Sequence, residues 1–210
     1  MVRVIKKKKE KLPSEKNILS VAKKHFLAYG FAGARMQAIA DEAFINKALL
    51  HYYYKNKEGL FTKVFDEEAE KMIASVEKIT NQELSILEKI SRVIENDIDH
   101  LLKNPQMPMF MMRELARDPK LIQKFDPSAR GAHIIQKMAI EIRLAQKKKV
   151  IRADIKIEDI FINMGALAMF PILASPFCRQ SVHMSEAQYI KWLQERKKTV
   201  PEFIIRAIKN

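Results

Sequence analysis

A chain of 210 residues with 48% apolar side chains can bury a real core, which excludes a disordered protein. Its formal net charge of +13 is uneven, +8 in residues 1–60 and +5 in the rest, so a polyanionic partner is expected at the N-terminal end. A single cysteine excludes an internal disulfide and fits a reducing, cytoplasmic setting, while few glycines and much Ala, Leu, Ile, Met, Glu and Lys favour helix.

In chain order, residues 1–13 read as a basic arm, with lysines at 6–9 and Lys11 and no apolar periodicity. It is either a solvated tail or a strap along a DNA backbone. No apolar run follows it, so a secretory leader is not expected. Pro13-Ser14-Glu15 opens a first helix with Ser14 as cap. Ile18, Val21, Ala22, Phe26 and Leu27 recur at helical spacing until Gly30 stops it. A second helix runs from about Arg35 to Ala43, with Met36, Ile39, Ala40 and Ala43 inward. Phe44-Ile45-Asn46 is a turn, and Asn46 caps a short third helix to about Tyr53, with Leu49 or Leu50 and Tyr53 in the core. A long helix from Lys55–Glu58 to about Ile79 carries the stripe Leu60, Phe61, Val64, Phe65, Ala69 and Met72.

Further helices are expected over about Gln82 to Leu102, ended by Asn104-Pro105, and over Met109 to Ala116. One more runs from Asp118-Pro119 to about Phe125, and another from Asp126-Pro127 to about Lys149. The most apolar helix spans Asp154 to about Leu173, a loop begins at Pro176-Phe177-Cys178, and Ser185-Glu186 opens the last helical region. Pro201 demands a kink or break there. The stretch Ile160 to Phe177 contains Asn163, Gly165 and two prolines and falls short of the roughly 20 residues of a membrane span. It reads as a buried helix, and no membrane is expected among the partners. No strand run or repeat stands out. The fold class is therefore all-α: a basic arm (1–13), an N-terminal three-helix head with a helix-turn-helix (14–56), and a C-terminal multi-helix body (57–210).

Two short helices joined by a three-residue turn form a DNA-reading device: the first braces the second, whose N-terminal end faces base edges in the major groove. It needs small residues between the helices, short polar or basic side chains at the start of the reading helix, and phosphate grips at its edges. Ala40 and Ala43 meet the first demand, and Asn46 and Lys47 the second. Lys47 is the main base-edge candidate, with Gln37 reaching from the second helix and His51 beside it. Tyr52, Lys55 and Lys57 are candidates for phosphate.

Residues 14–62 resemble the TetR family of bacterial transcriptional regulators. The likeness lies in Phe26, Gly30-Phe31, Ile39-Ala40-Asp41, Ile45-Asn46-Lys47, Leu50, Tyr53-Tyr54 and Lys55-Asn56-Lys57-Glu58-Gly59-Leu60. It implies an all-helical homodimer, usually a repressor that leaves a palindromic operator when a small molecule binds the body. The chain departs from the pattern at Phe44, where Gly is usual; at Ala34, where Thr usually caps; at Ala48-Leu49, in place of Gly-Thr; and at His51, in place of Tyr.

In the body, clustered Met and Phe suggest an adaptable lining for a small hydrophobic effector: Phe110, Met111, His133, Met138, Phe161, Met164 and Met169. A helix apolar nearly all round needs cover from a second copy, so Ile160, Leu167, Phe170, Tyr189, Trp192 and Phe203 are expected at a homodimer interface. The five histidines share no metal-ligand spacing, and no catalytic motif occurs, so neither an enzyme nor a bound metal or cofactor is expected. The expected function is a ligand-responsive regulator of double-stranded DNA. The alternative is a regulator of the same fold with no small-molecule effector, constitutive or controlled by a protein partner.

Overall fold

In the computed structural model, residues 15–117 and 128–210 are described. The basic arm, the Ser14 cap, the expected helix from Asp118 to Phe125 and the Asp126-Pro127 helix start lie outside them. The described residues are helical apart from short connections and one isolated bridge between Ile151 and Lys209. They fall into two compact units, divided between Phe65 and Asp66.

The first unit begins with α1 (Glu15–Gly33). Its apolar positions close the head core: Ile18, Leu19, Ala22 and Phe26 are buried. Gly30 has φ 67° and ψ 177°, a backbone that favours glycine. The helix does not end there as expected; it kinks and resumes for one turn to Gly33. The kink lets Phe31 meet Phe61 edge-on at 5.1 Å, and Phe26 meets the same ring at 5.1 Å. α2 (Met36–Glu42) starts after Arg35 with no side-chain cap, as the missing threonine at Ala34 foretold. It buries Ile39 and Ala40. α3 (Lys47–Tyr54) buries Leu50 and Tyr54, and α4 (Lys57–Thr80) adds Leu60, Phe61, Val64 and Phe65 to the head.

The body is built on α5 (Ile86–Lys103), α6 (Gln106–Arg117), α7 (Ser128–Lys147), α8 (Ile157–Leu173), α9 (Ser175–Ser181) and α10 (Glu186–Ile208). α5 packs against α8 and α10. Ile90, Val93, Ile94 and Ile98 meet Ile160, Met164, Ala168, Val200, Ile204 and Ile208 in one core, which Met138 and Ile142 of α7 complete. Reciprocal capping boxes, Ser85 with Glu88 and Ser185 with Gln188, fix the starts of α5 and α10. Two expectations are corrected here. The chain after Pro176 is the short helix α9, because proline fits a first helical turn. α10 runs through Pro201 without a break: Val200, Pro201 and Ile204 are all buried, and that packing outweighs one lost backbone bond.

Candidate nucleic-acid interface

The turn between α2 and α3 is closed by its own backbone. The Ala43 N–H donates to the Ile39 carbonyl at 2.9 Å and the Ile45 N–H to the Ala40 carbonyl at 3.0 Å. Between them Phe44 adopts φ 57° with its ring 87% exposed, so the position glycine would occupy is held by a side chain that packs on nothing. Asn46 then enters in extended backbone, and its side-chain oxygen accepts from the Leu49 N–H at 2.6 Å. This cap sets the first turn of α3.

With Leu50 and Tyr54 buried, helical spacing turns Lys47, Ala48, His51 and Tyr52 outward, and all four are exposed. Tyr53 was expected in the core and is 56% exposed instead. Leu50 is the inward leucine, and the residue one turn on from it is Tyr54; Tyr53 continues the half-buried edge of Leu49. The His51 Nδ1–H donates to the Lys55 carbonyl at 2.9 Å, which leaves Nε2 facing away from that bond. Lys55 itself has φ 60° and is exposed at the end of α3. Gly59 follows because a Cβ there would collide with the Tyr54 carbonyl.

Lys57 acts differently from its sequence reading as a phosphate candidate, and His25 joins a brace. The Lys57 ammonium donates to the carbonyls of Ala32 at 3.2 Å and Ala34 at 3.1 Å, and lies 4.8 Å from the Phe31 ring centre. It fastens the end of α1 to the start of α4, with one of its three donors left over. His25 is buried; its Nε2 lies 2.8 Å from a Glu42 oxygen whose partner oxygen accepts from Lys24 at 2.7 Å. Hydrogen bonds from Lys24 and then His25 hold the Glu42 carboxyl below its usual range. This brace ties α1 to α2. No local sequence signal marks it, since the partners are 17 and 18 residues apart. Gln37 is exposed on α2 with its amide on Asp41 at 2.7 Å.

In the body, Phe110, Met138 and Met164 of the expected effector set are buried; Met111, Phe161 and Met169 are half-buried, and His133 is exposed. Met138 and Met164 belong to the main core. Of the expected dimer set, Ile160 and Tyr189 are buried within the chain, and the Tyr189 hydroxyl donates to the Pro171 carbonyl at 2.8 Å. Leu167 and Trp192 are half-buried, with Arg196 stacked 4.8 Å over the Trp192 ring. Phe170 and Phe203 are exposed, as is Ile162. Phe203 and Leu167 help line an open groove of about 430 Å³ between α8 and α10. Burial pushes the Asp97 carboxyl on α5 up to about 6, against a small opposing hydrogen bond from Asn96. Among the described residues no cluster of three metal-ligating side chains occurs, and no single helix is long and apolar enough to cross a membrane.

Residues 18–64 match the family described as bacterial regulatory proteins, tetR family. The chain is 26% identical over 156 residues to the HTH-type transcriptional repressor SCO4008 of Streptomyces coelicolor, covering 74% of this chain and 77% of that one. It is 31% identical over 111 residues to the HTH-type transcriptional regulator RutR of Escherichia coli K12, which spans about half of each chain, 52% of both. Among solved structures, the transcriptional regulator FadR of Bacillus subtilis, in complex with stearoyl-CoA, superposes with a TM-score of 0.69 at 16% identity, over 91% of this chain and 98% of that one. That likeness is one of fold.

Proposed function

Starting from a chain that belongs to the tetR family of bacterial regulatory proteins and is a DNA-binding helix-turn-helix regulator, we propose that it is a repressor that binds a palindromic operator as a homodimer and is released by a small, mainly apolar effector. The observation that carries the DNA reading is the outward face of α3: Lys47, His51 and Tyr52, exposed and in helical register behind the Asn46 cap. Lys47 takes base edges, with Gln37, Asn46 and His51 around it, and Tyr52 and Lys55 take phosphates. Lys57, already held by two carbonyls, contributes at most its third donor.

Exposed Phe170, Phe203 and Ile162 on α8 and α10 support pairing of those helices with a second copy, which would present two reading helices to successive grooves. For the effector, support comes from buried Phe110 with half-buried Met111, Phe161 and Met169 and from the FadR structure's stearoyl-CoA complex. A second reading, regulation without a small molecule, is favoured by one observation: Met138 and Met164 pack into the main core and His133 faces outward.

Operator selection from a random DNA pool, repeated with lipophilic compounds including a long-chain acyl-CoA, tests both. The expected result is a palindromic site whose affinity falls with at least one compound. Lys47→Ala should lose about 1–3 kcal/mol of discrimination at one base pair; unchanged relative affinities across sequences would remove Lys47 from base reading. Unchanged operator affinity across the panel would move the function to the second reading.

A further inference from the structure

The outward face of α7 carries charge and aliphatic side chains together. Ile134, Met138, Ile142 and Ala145 of this helix are buried in the core. On the opposite side Ile140 and Leu144 stand one turn apart, 56% and 51% exposed, and helical spacing sets Arg143 and Lys147 beside them. The helix ends in a Schellman motif: the Val150 N–H donates to the Ala145 carbonyl at 2.9 Å and the Lys149 N–H to the Gln146 carbonyl at 3.0 Å. Lys149 takes φ 59° at the position where glycine is usual, and Val150 is 41% exposed. The Gln146 amide donates to the carbonyls of Arg152 and Ile155, and the Asn210 N–H to that of Val150 at 3.2 Å. The lysine run is thus set in place by hydrogen bonds around it. Among the described residues, neither Arg143 nor any of Lys147, Lys148 and Lys149 pairs with a carboxylate, whereas neighbouring Arg152 is matched by Asp154 at 2.7 Å.

We propose that this face is a peripheral docking site for an anionic phospholipid surface. Four unpaired cations supply attraction to lipid phosphates, and Ile140 and Leu144 stand beside Arg143 and Lys147 to enter the acyl boundary. A DNA backbone would use the cations and leave the aliphatics in water. A second copy docked face to face would bring eight like charges together. A protein partner is a poorer fit, because lysine is depleted and aromatic anchors are enriched at such interfaces, and the described residues 140–150 of this face include no Phe, Tyr or Trp. This departs from the expectation of no membrane partner, which rested on the lack of a segment long enough to span a bilayer; a surface contact needs no such segment. The site is independent of the operator and effector readings.

The test is co-sedimentation of the full chain at physiological ionic strength with vesicles of phosphatidylglycerol and phosphatidylcholine, and of phosphatidylcholine alone. Binding is expected only to the first. Because the basic head also attracts anions, variants of this face decide the matter. Lys147→Gln, Lys148→Gln and Lys149→Gln together should weaken binding by about fivefold per lysine. Ile140→Ser with Leu144→Ser, at unchanged charge, should weaken it about tenfold. All five residues are exposed, so melting temperature and operator affinity serve as controls and should hold. No dependence on phosphatidylglycerol, or vesicle binding untouched by the lysine variant, overturns the proposal. So does sensitivity to the lysines with none to the aliphatic pair, which reports a plain polyanion contact. A change of oligomeric state in place of vesicle binding assigns the face to a second copy.

Discussion

Head and body are both helical, yet they specify themselves by different means. In the head, single polar groups and special backbone positions decide the geometry: the Gly30 kink, the left-handed Phe44, the Asn46 cap and the Gly59 contact. In the body, one broad core of isoleucines and methionines does most of the work, and many side chains of similar volume could fill it. A protein that must place a few atoms against a base pair needs the first kind of order. A scaffold that must only hold and shift needs the second.

The largest effect should appear where that contrast is sharpest. Leu50→Ala removes a fully buried anchor of α3, and should cost about 2–5 kcal/mol of stability and abolish operator binding. Met138→Leu, equally buried in the body, should cost under about 1.5 kcal/mol and leave binding intact. Chemical denaturation and DNA titration measure both. Equal costs would erase the distinction between the two units.

The body also holds a half-buried carboxyl, Asp97 on α5, whose protonation is tied to folding. A carboxyl raised from 3.8 to about 6 keeps its proton in the folded chain while the unfolded chain loses it. Its contribution is therefore full below about pH 4 and is lost as pH rises through about 6. Asp97→Asn should remove that slope and gain about 2–3 kcal/mol at pH 7 relative to pH 4. Parallel pH-stability curves for the two proteins would place the charge in water.

What could be read from the sequence follows the same division. Local devices were legible: the Asn46 cap, the uncapped start of α2 and the aberrant turn at Phe44 each depend on residues within a few positions. The Ser85–Glu88 capping box is equally local, but the apolar periodicity runs on from Gln82 and hides the helix start behind it. Devices that join distant residues were not legible. Lys57 meets carbonyls 23 and 25 positions away, His25 meets Glu42 17 away, and neither partner can be guessed without the fold. Pro201 misled for the converse reason: its local penalty is real, and the core around it is larger. Tyr53 and Tyr54 differ by a single position on a short helix, and only the choice of Leu50 over Leu49 separates them.

Lys57 sharpens the comparison within the head itself, between residues that touch DNA and residues that hold the reader in place. Lys57→Gln should lower operator affinity roughly equally for all sequences, because the α1–α4 fastening loosens. If its third donor also holds a phosphate, the slope of log affinity against log salt should fall by about 1. If the ammonium serves only Ala32, Ala34 and Phe31, the slope should stay put while the melting temperature of the head drops. Titrations at several salt concentrations separate the two roles, and unchanged affinity and melting together would deny it both.

The smallest expected effect is at Phe44. A non-glycine residue in the left-handed region costs about 1–2 kcal/mol, and this ring, 87% exposed, recovers none of it by packing. Glycine relieves the strain but frees the unfolded chain, which takes back about 0.5–1 kcal/mol. Phe44→Gly should therefore stabilise the head by about 0.5–1 kcal/mol, seen as a rise in its thermal midpoint. Operator binding discriminates why phenylalanine stands there. If affinity is unchanged or improves, the ring is incidental to the interface. If affinity falls while stability rises, the exposed ring at the turn packs on the duplex, and the strain is kept for contact with DNA. A loss of stability would show that the turn's geometry depends on the aromatic side chain, against the exposure seen here.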